Sequence, residues 1–133
     1  MNEIILSTIP FLMDGLLMTF KISLLTIFFG SLIGVVVGML RSLDYAVITY
    51  PLGAYIHALR GTPFLIHLYL VYFMLPMTGI SWLQLEAFPA AVIALSMYTS
   101  TYVAEIVRSA IQAVPRGQSE AARSTGMTAL QSM

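Results

Sequence analysis

The chain has 133 residues, 59% of them hydrophobic and only 9% charged, whereas a soluble domain carries about a quarter charged residues, so an ordinary soluble domain is excluded. Six basic side chains balance six acidic ones, which leaves no surplus to neutralise phosphates and excludes nucleic acid as a main ligand. With no cysteine there is no disulfide framework, thiolate nucleophile or Cys-ligated metal, and a mean hydropathy of +0.89 makes membrane residence the default.

A spanning helix takes about 20 apolar residues, because the bilayer core is about 30 Å thick and a helix rises about 1.5 Å per residue. The first stretch that qualifies runs over residues 22–40 and stops at Arg41. Glu3 and Asp14 precede it, there is no basic n-region, and the apolar run is too long for a signal peptide, so a retained span is expected. Along it Thr26, Gly30, Gly34 and Gly38 recur every four residues. That spacing predicts a smooth stripe on which another helix packs closely, with pathway lining as the alternative role. Residues 42–59 mix Asp44, Tyr45, Tyr50, Pro51, Tyr55 and His57 with aliphatic side chains, which reads as an interfacial or re-entrant helix with its rings in the headgroup layer.

The second stretch, residues 62–76, follows Arg60-Gly61; Thr62 is placed to cap it and Pro63 to take its first helical position. His67 lies inside it, where an imidazole is costly unless it faces protein or water, so it is either a polar pathway group or a hydrogen-bonded packing residue. The turn over residues 77–86 contains Trp82 and no Lys or Arg. The third stretch, residues 88–107, carries Tyr98, Ser100, Thr101, Tyr102 and Glu105, polar groups that lipid would leave unsatisfied and that should therefore face other helices. Glu105 and Arg108 are spaced i, i+3 and are expected to pair on one helix face, proton transfer being the less favoured role. Beyond them Pro115-Arg116-Gly117 breaks the chain before a small-residue helix from Gln118 onward.

Arg41, Arg60, Arg108, Arg116 and Arg123 all fall on one side of a three-span arrangement, with Lys21 alone at the other. The positive-inside rule then places the N-terminus outside and the C-terminal tail in the cytoplasm, with Lys21 snorkelling outward or meeting Asp14. No catalytic residue is expected: there is no GxxxxGK[ST] phosphate loop, no pair of carboxylates in a span and no placed Ser, His and Asp set. No metal site is expected either, because His57 and His67 are the only imidazoles and no carboxylate stands beside them at ligand spacing.

The tail carries Glu120-Ala121-Ala122, three further residues and then Gly126, with Gly117-Gln118 just before, and Arg60-Gly61-Thr62-Pro63-Phe64-Leu65 leads into the second span. In these segments the chain resembles the permease subunits of bacterial ABC importers for polar amino acids, the histidine, glutamine and arginine uptake group. The physics of the loop agrees. Ala121 and Ala122 suit a helix that seats deeply in a partner's groove, Glu120 puts a charge at the helix start, and Gly126 permits a sharp change of direction.

The resemblance implies an all-α membrane fold, with residues 1–133 forming the N-terminal part of a type I importer transmembrane domain and residues 114–133 its cytoplasmic coupling loop. It further implies a permease working by alternating access in the bacterial inner membrane. Its partners would be ABC ATPase subunits, a second permease chain, identical or not, an extracytoplasmic amino acid binding protein and membrane lipid. No cofactor is expected on this chain; ATP and magnesium would sit on the separate ATPase. His67 stands where the family commonly has Gln. The family's loop also continues to an Ile, a Leu-Pro pair and further membrane helices, while this chain stops at Met133, which suggests a truncated gene, a frameshift or a fragment. A non-transporting membrane scaffold or inactive permease fragment is the alternative, and an intramembrane enzyme a distant third.

Overall fold

The computed structural model describes residues 2–128 and 131, and within these no strand occurs. Helix α1 (Asn2–Ser42) has no single apolar face: over Thr8–Ser42 its apolar residues are spread round the axis, with Asp14, Lys21 and Arg41 the charged exceptions, the mark of a helix surrounded by lipid or protein rather than half-exposed to water. It does not begin at residue 22: the helix continues back through Pro10, and its apolar part, Thr8–Ser42, is longer than a bilayer crossing requires. Helix α4 (Ala87–Gln112) is the second helix long and apolar enough to cross a membrane.

These two helices form the body of the fold, and the glycine stripe is their seam. A Cβ built on Gly30 would stand 2.9 Å from Thr99 Cβ, one on Gly34 2.5 Å from Val103 Cβ, and one on Gly38 2.8 Å from Val107 Cβ. Each step of four along α1 thus meets a step of four along α4 in the same direction, so the helices run parallel. Backbones come this close only where no side chain intervenes, and close approach is what drives helix association in lipid. Thr26 and Val37 are buried on the same side of α1, as are Val92, Ser96, Ser100 and Ala104 on α4.

Two parallel helices in sequence require the chain between them to travel back. It does so in two pieces. Helix α2 (Ala46–Arg60) lies against the seam, where Ile56 packs with Val37 and Ala104 and is flanked by Leu52 and Tyr55. The direction then changes by 103° into residues 64–78, so this pair makes at most one further span. The return begins as α3 (Phe64–Tyr69), widens into a π-helical turn (Leu70–Met74) and ends in a 3-10 turn (Pro76–Thr78). The widening is visible in the Leu75 N–H to Leu70 C=O bond of 3.0 Å. It comes just before Pro76, which has no N–H with which to continue the ladder. Gly79, at φ +75°, then turns the chain.

Thr62 does not cap this segment. Pro63 holds the N-cap position with no side-chain cap, and the Thr62 hydroxyl donates back to the Ala58 carbonyl at 2.9 Å. A second 3-10 turn, Ser81–Leu83, precedes α4, and α5 (Arg116–Ser124) follows it.

Candidate functional site

The polar residues of α4 gather where α2, α3 and the end of α1 meet it. Tyr55 on α2 reaches Ser100 Oγ at 2.8 Å and the Met97 carbonyl at 3.1 Å. Ser100 and Thr101 are fully buried and return their hydroxyl protons to Met97 and Tyr98 carbonyls at 2.7 Å. Ser100 and Thr101 thus face other helices, as the polarity of α4 required, whereas Tyr102 is 41% exposed.

His67 on α3 is buried, with Nε2 2.7 Å from Thr62 Oγ1. Since the Thr62 proton already goes to Ala58, Nε2 is the donor in this contact. Nδ1 is buried and has no partner. The imidazole is therefore buried with one ring nitrogen bonded and the other without a partner. Its ring centre lies 6.0 Å from that of Tyr98, which also meets Phe64 at 5.4 Å. Tyr98 Oη lies 2.9 Å from Tyr102 Oη, and the Arg60 guanidinium sits over the Tyr102 ring at 4.7 Å, within cation-π range.

The expected Glu105–Arg108 pair on one helix face does not form. Glu105 instead bonds Arg41 of α1, and Arg108 approaches Asp44, just beyond α1, at 3.9 Å. The physical reason is burial. An i, i+3 pair on a helix surface contributes only about 0.2–0.5 kcal/mol, whereas Arg41 is 6% exposed, and a buried guanidinium left without a carboxylate is far more costly. The seam brings the ends of α1 and α4 together, and the charges pair across it.

Sequence reasoning missed these cross-pairs, the Tyr55 bridge and the Thr62–His67 bond. The one available signal was charge balance: Asp44 lies beside Arg41 at the end of α1, and Glu105 beside Arg108 near the end of α4.

The tail is built differently. Helix α5 packs against no other helix among the described residues. Gly117, Gln118, Glu120 and Ala121 are exposed, and Ala122 is half-buried. Gly126 follows with φ +89°; its N–H bonds the Arg123 carbonyl at 3.1 Å, and the Met127 N–H bonds that of Ala122 at 3.3 Å. This is a Schellman ending, in which a left-handed residue satisfies the last carbonyls and turns the chain away from the helix axis.

Residues 30–133 match the family described as binding-protein-dependent transport system inner membrane component. The chain belongs to that family. Among its permease relatives, a probable amino-acid ABC transporter permease protein, YckA of Bacillus subtilis, is 36% identical over 99% of this chain and 57% of its own length. The probable glutamine ABC transporter permease protein GlnM of the same organism is 37% identical over 91% of this chain and 55% of its own. A crystal structure of an amino acid ABC transporter with histidines superposes with a TM-score of 0.83 at 40% identity, over 97% of this chain and 59% of that one. The chain thus spans little more than half the length of the permeases it matches. The all-helical permease fold and membrane residence follow from the match and from the two apolar helices.

Proposed function

We propose that this chain supplies the membrane pathway of an ATP-driven amino acid importer and couples to a separate ATPase subunit through residues 114–133. The observation that carries this reading is the contrast of α5 with everything before it. A nine-residue helix with no helix packed on it is marginal in water by itself, so it is built to be completed by another surface. In α5 that surface would receive Ala121 and Ala122, with Glu120 alongside and Gly117 and Gln118 at the entry, while Gly126 turns the chain out of the groove. Closure of ATPase subunits on ATP and magnesium would then move α5, and through the short link of residues 113–115 it would move α4 and its partner α1. Rigid displacement of such a bundle about a central site is how alternating access operates.

A second permease chain and an extracytoplasmic binding protein would complete the assembly. The N-terminus would lie outside and α5 in the cytoplasm, as the side shared by Arg41, Arg60, Arg108, Arg116 and Arg123 supports. The return segment 64–78 would then be the middle of three crossings.

Two experiments test this. Cysteines at Ser81 and Ser124 are expected to label from opposite sides of intact cells, Ser81 from outside and Ser124 only after permeabilisation; labelling of both from outside discards the orientation. A cysteine replacing Ala122 is expected to crosslink to an ATPase subunit in membranes. No crosslink, in a preparation where a full-length permease of the family does crosslink, would leave a scaffold or an inactive fragment as the reading.

A further inference from the structure

The ion pairs that close the seam leave a cleft of about 540 Å³ beside them, lined by Arg41, His57, Arg60, Glu105 and Arg108 together with Ile56 and Gly61. Three guanidinium groups thus face one carboxylate in its wall. Asp44 adds a second negative charge next to Arg108, but from a side chain that is 72% exposed, so the cleft keeps a positive surplus. The guanidiniums are also under-used. Arg41 spends Nη1 on Glu105, yet its Nε–H is buried with no partner, and the Nε–H of Arg108 is likewise buried and unpartnered. An Nε–H donor in this position lacks an acceptor. Arg41 is more than nine-tenths buried, and α2 lies over it, with Nη2 3.9 Å from where a Cβ on Gly53 would stand.

The position of the cleft says what kind of acceptor arrives. It lies where the apolar run of α1 ends at Arg41 and along the C-terminal part of α2; the start of that same helix carries Val47 and Tyr50, with Tyr45 just before it, at 87%, 80% and 65% exposure. Exposed aromatic and aliphatic groups on the same short helix as an arginine-lined cleft fit the boundary between acyl chains and headgroups. Basic pockets between helices at that depth take phosphate-bearing headgroups. We propose that the cleft bounded by Arg41, His57, Arg60 and Arg108 binds the phosphodiester of an anionic phospholipid, with the exposed Arg60 and the partly exposed Arg108 as the cations that reach it and the buried Arg41 adding its charge from behind. The lipid would join the ends of α1, α2 and α4 into one unit. This rests on the chain being a membrane protein and is independent of whether it transports anything.

The test uses the full chain in mixed detergent micelles, counting retained lipids by native mass spectrometry with phosphatidylglycerol or phosphatidylcholine as the probe. Phosphatidylglycerol is expected to be retained in preference. Arg60→Gln and Arg108→Gln, neither of which strands a buried charge, should each reduce that retention about fivefold, the effect of one arginine near a lipid surface. Lys21→Gln, which removes the same charge from the far end of α1, should leave it unchanged. Displacement of the lipid by millimolar inorganic phosphate would assign the site to the free ion and overturn the lipid. Equal loss in Arg60→Gln, Arg108→Gln and Lys21→Gln, or no preference between the two lipids, would overturn the site itself.

Discussion

The α1–α4 seam and the α5 tail are opposite solutions to holding a helix in place. Along the seam, Gly30, Gly34 and Gly38 leave no room for a Cβ, and the partner residues Thr99, Val103 and Val107 occupy the space; the far end is locked by Arg41 and Glu105. The close contacts of the seam are made within this chain. In α5 there is no such partner among the described residues, and its definition rests on local hydrogen bonding, chiefly the Schellman turn at Gly126. Substitutions in the seam should therefore damage the fold, whereas substitutions in α5 should damage only an interaction with something else. Four variants test that division, in descending order of expected effect.

The largest effect is expected from Glu105→Gln, which leaves the buried Arg41 unpaired and should destabilise the chain by about 3 kcal/mol or more. Thermal unfolding in detergent would measure it, and Arg41→Met combined with Glu105→Leu should recover most of the loss, because an apolar pair has no charge to desolvate. An unchanged unfolding temperature in Glu105→Gln would mean that Arg41 satisfies itself elsewhere.

Next comes Gly34→Leu. A Cβ there meets Val103 Cβ at 2.5 Å and the Ser100 carbonyl oxygen at 2.8 Å, so the helices must separate, at about 1–3 kcal/mol for an overpacked contact. Val36→Leu, on a side chain that is half exposed, should behave as the parent in accumulation and unfolding. Equal behaviour of the two would show that the stripe is not a contact surface.

Gly126→Ala should cost about 1 kcal/mol locally, the penalty of a side chain in the left-handed region. It is expected to lower crosslinking from Ala122 to an ATPase subunit while leaving the unfolding of α1 and α4 unaltered; a fall in both would join the tail to the seam.

Smallest of all is Glu120→Ala, which removes one exposed charge and should change docking by less than about 1 kcal/mol, as exposed ion pairs do. A loss of crosslinking as complete as that from a bulky residue at Ala122 would make Glu120 a central contact rather than a peripheral one.

Much of this architecture was legible in the residues because it depends on local spacing. A four-residue period of small side chains is visible in any window of the chain, and so are an apolar run ending at an arginine and a glycine placed where a helix must turn. The all-α class, the close-packing stripe, the inward-facing polar groups of α4 and the helix ending at Gly126 all follow from such patterns. The helix bounds were less accessible. Nothing local stops α1 at residue 22, because an apolar helix continues through Pro10 without needing a partner there.

Only the tertiary structure decided which charges meet. Arg41 and Glu105 are 64 positions apart, and their meeting depends on the register in which α1 lies along α4, itself set by how deeply Gly30, Gly34 and Gly38 let the backbones approach. The local i, i+3 rule pointed to Arg108 instead, and it failed because a buried guanidinium outweighs a surface pair. The Thr62–His67 bond likewise came from the bend of the chain at residues 61–63, which folds the Thr62 hydroxyl back onto Ala58 and the imidazole onto Thr62. Periodicity determines which faces are buried, and only the assembled backbone determines what each buried polar atom finds there.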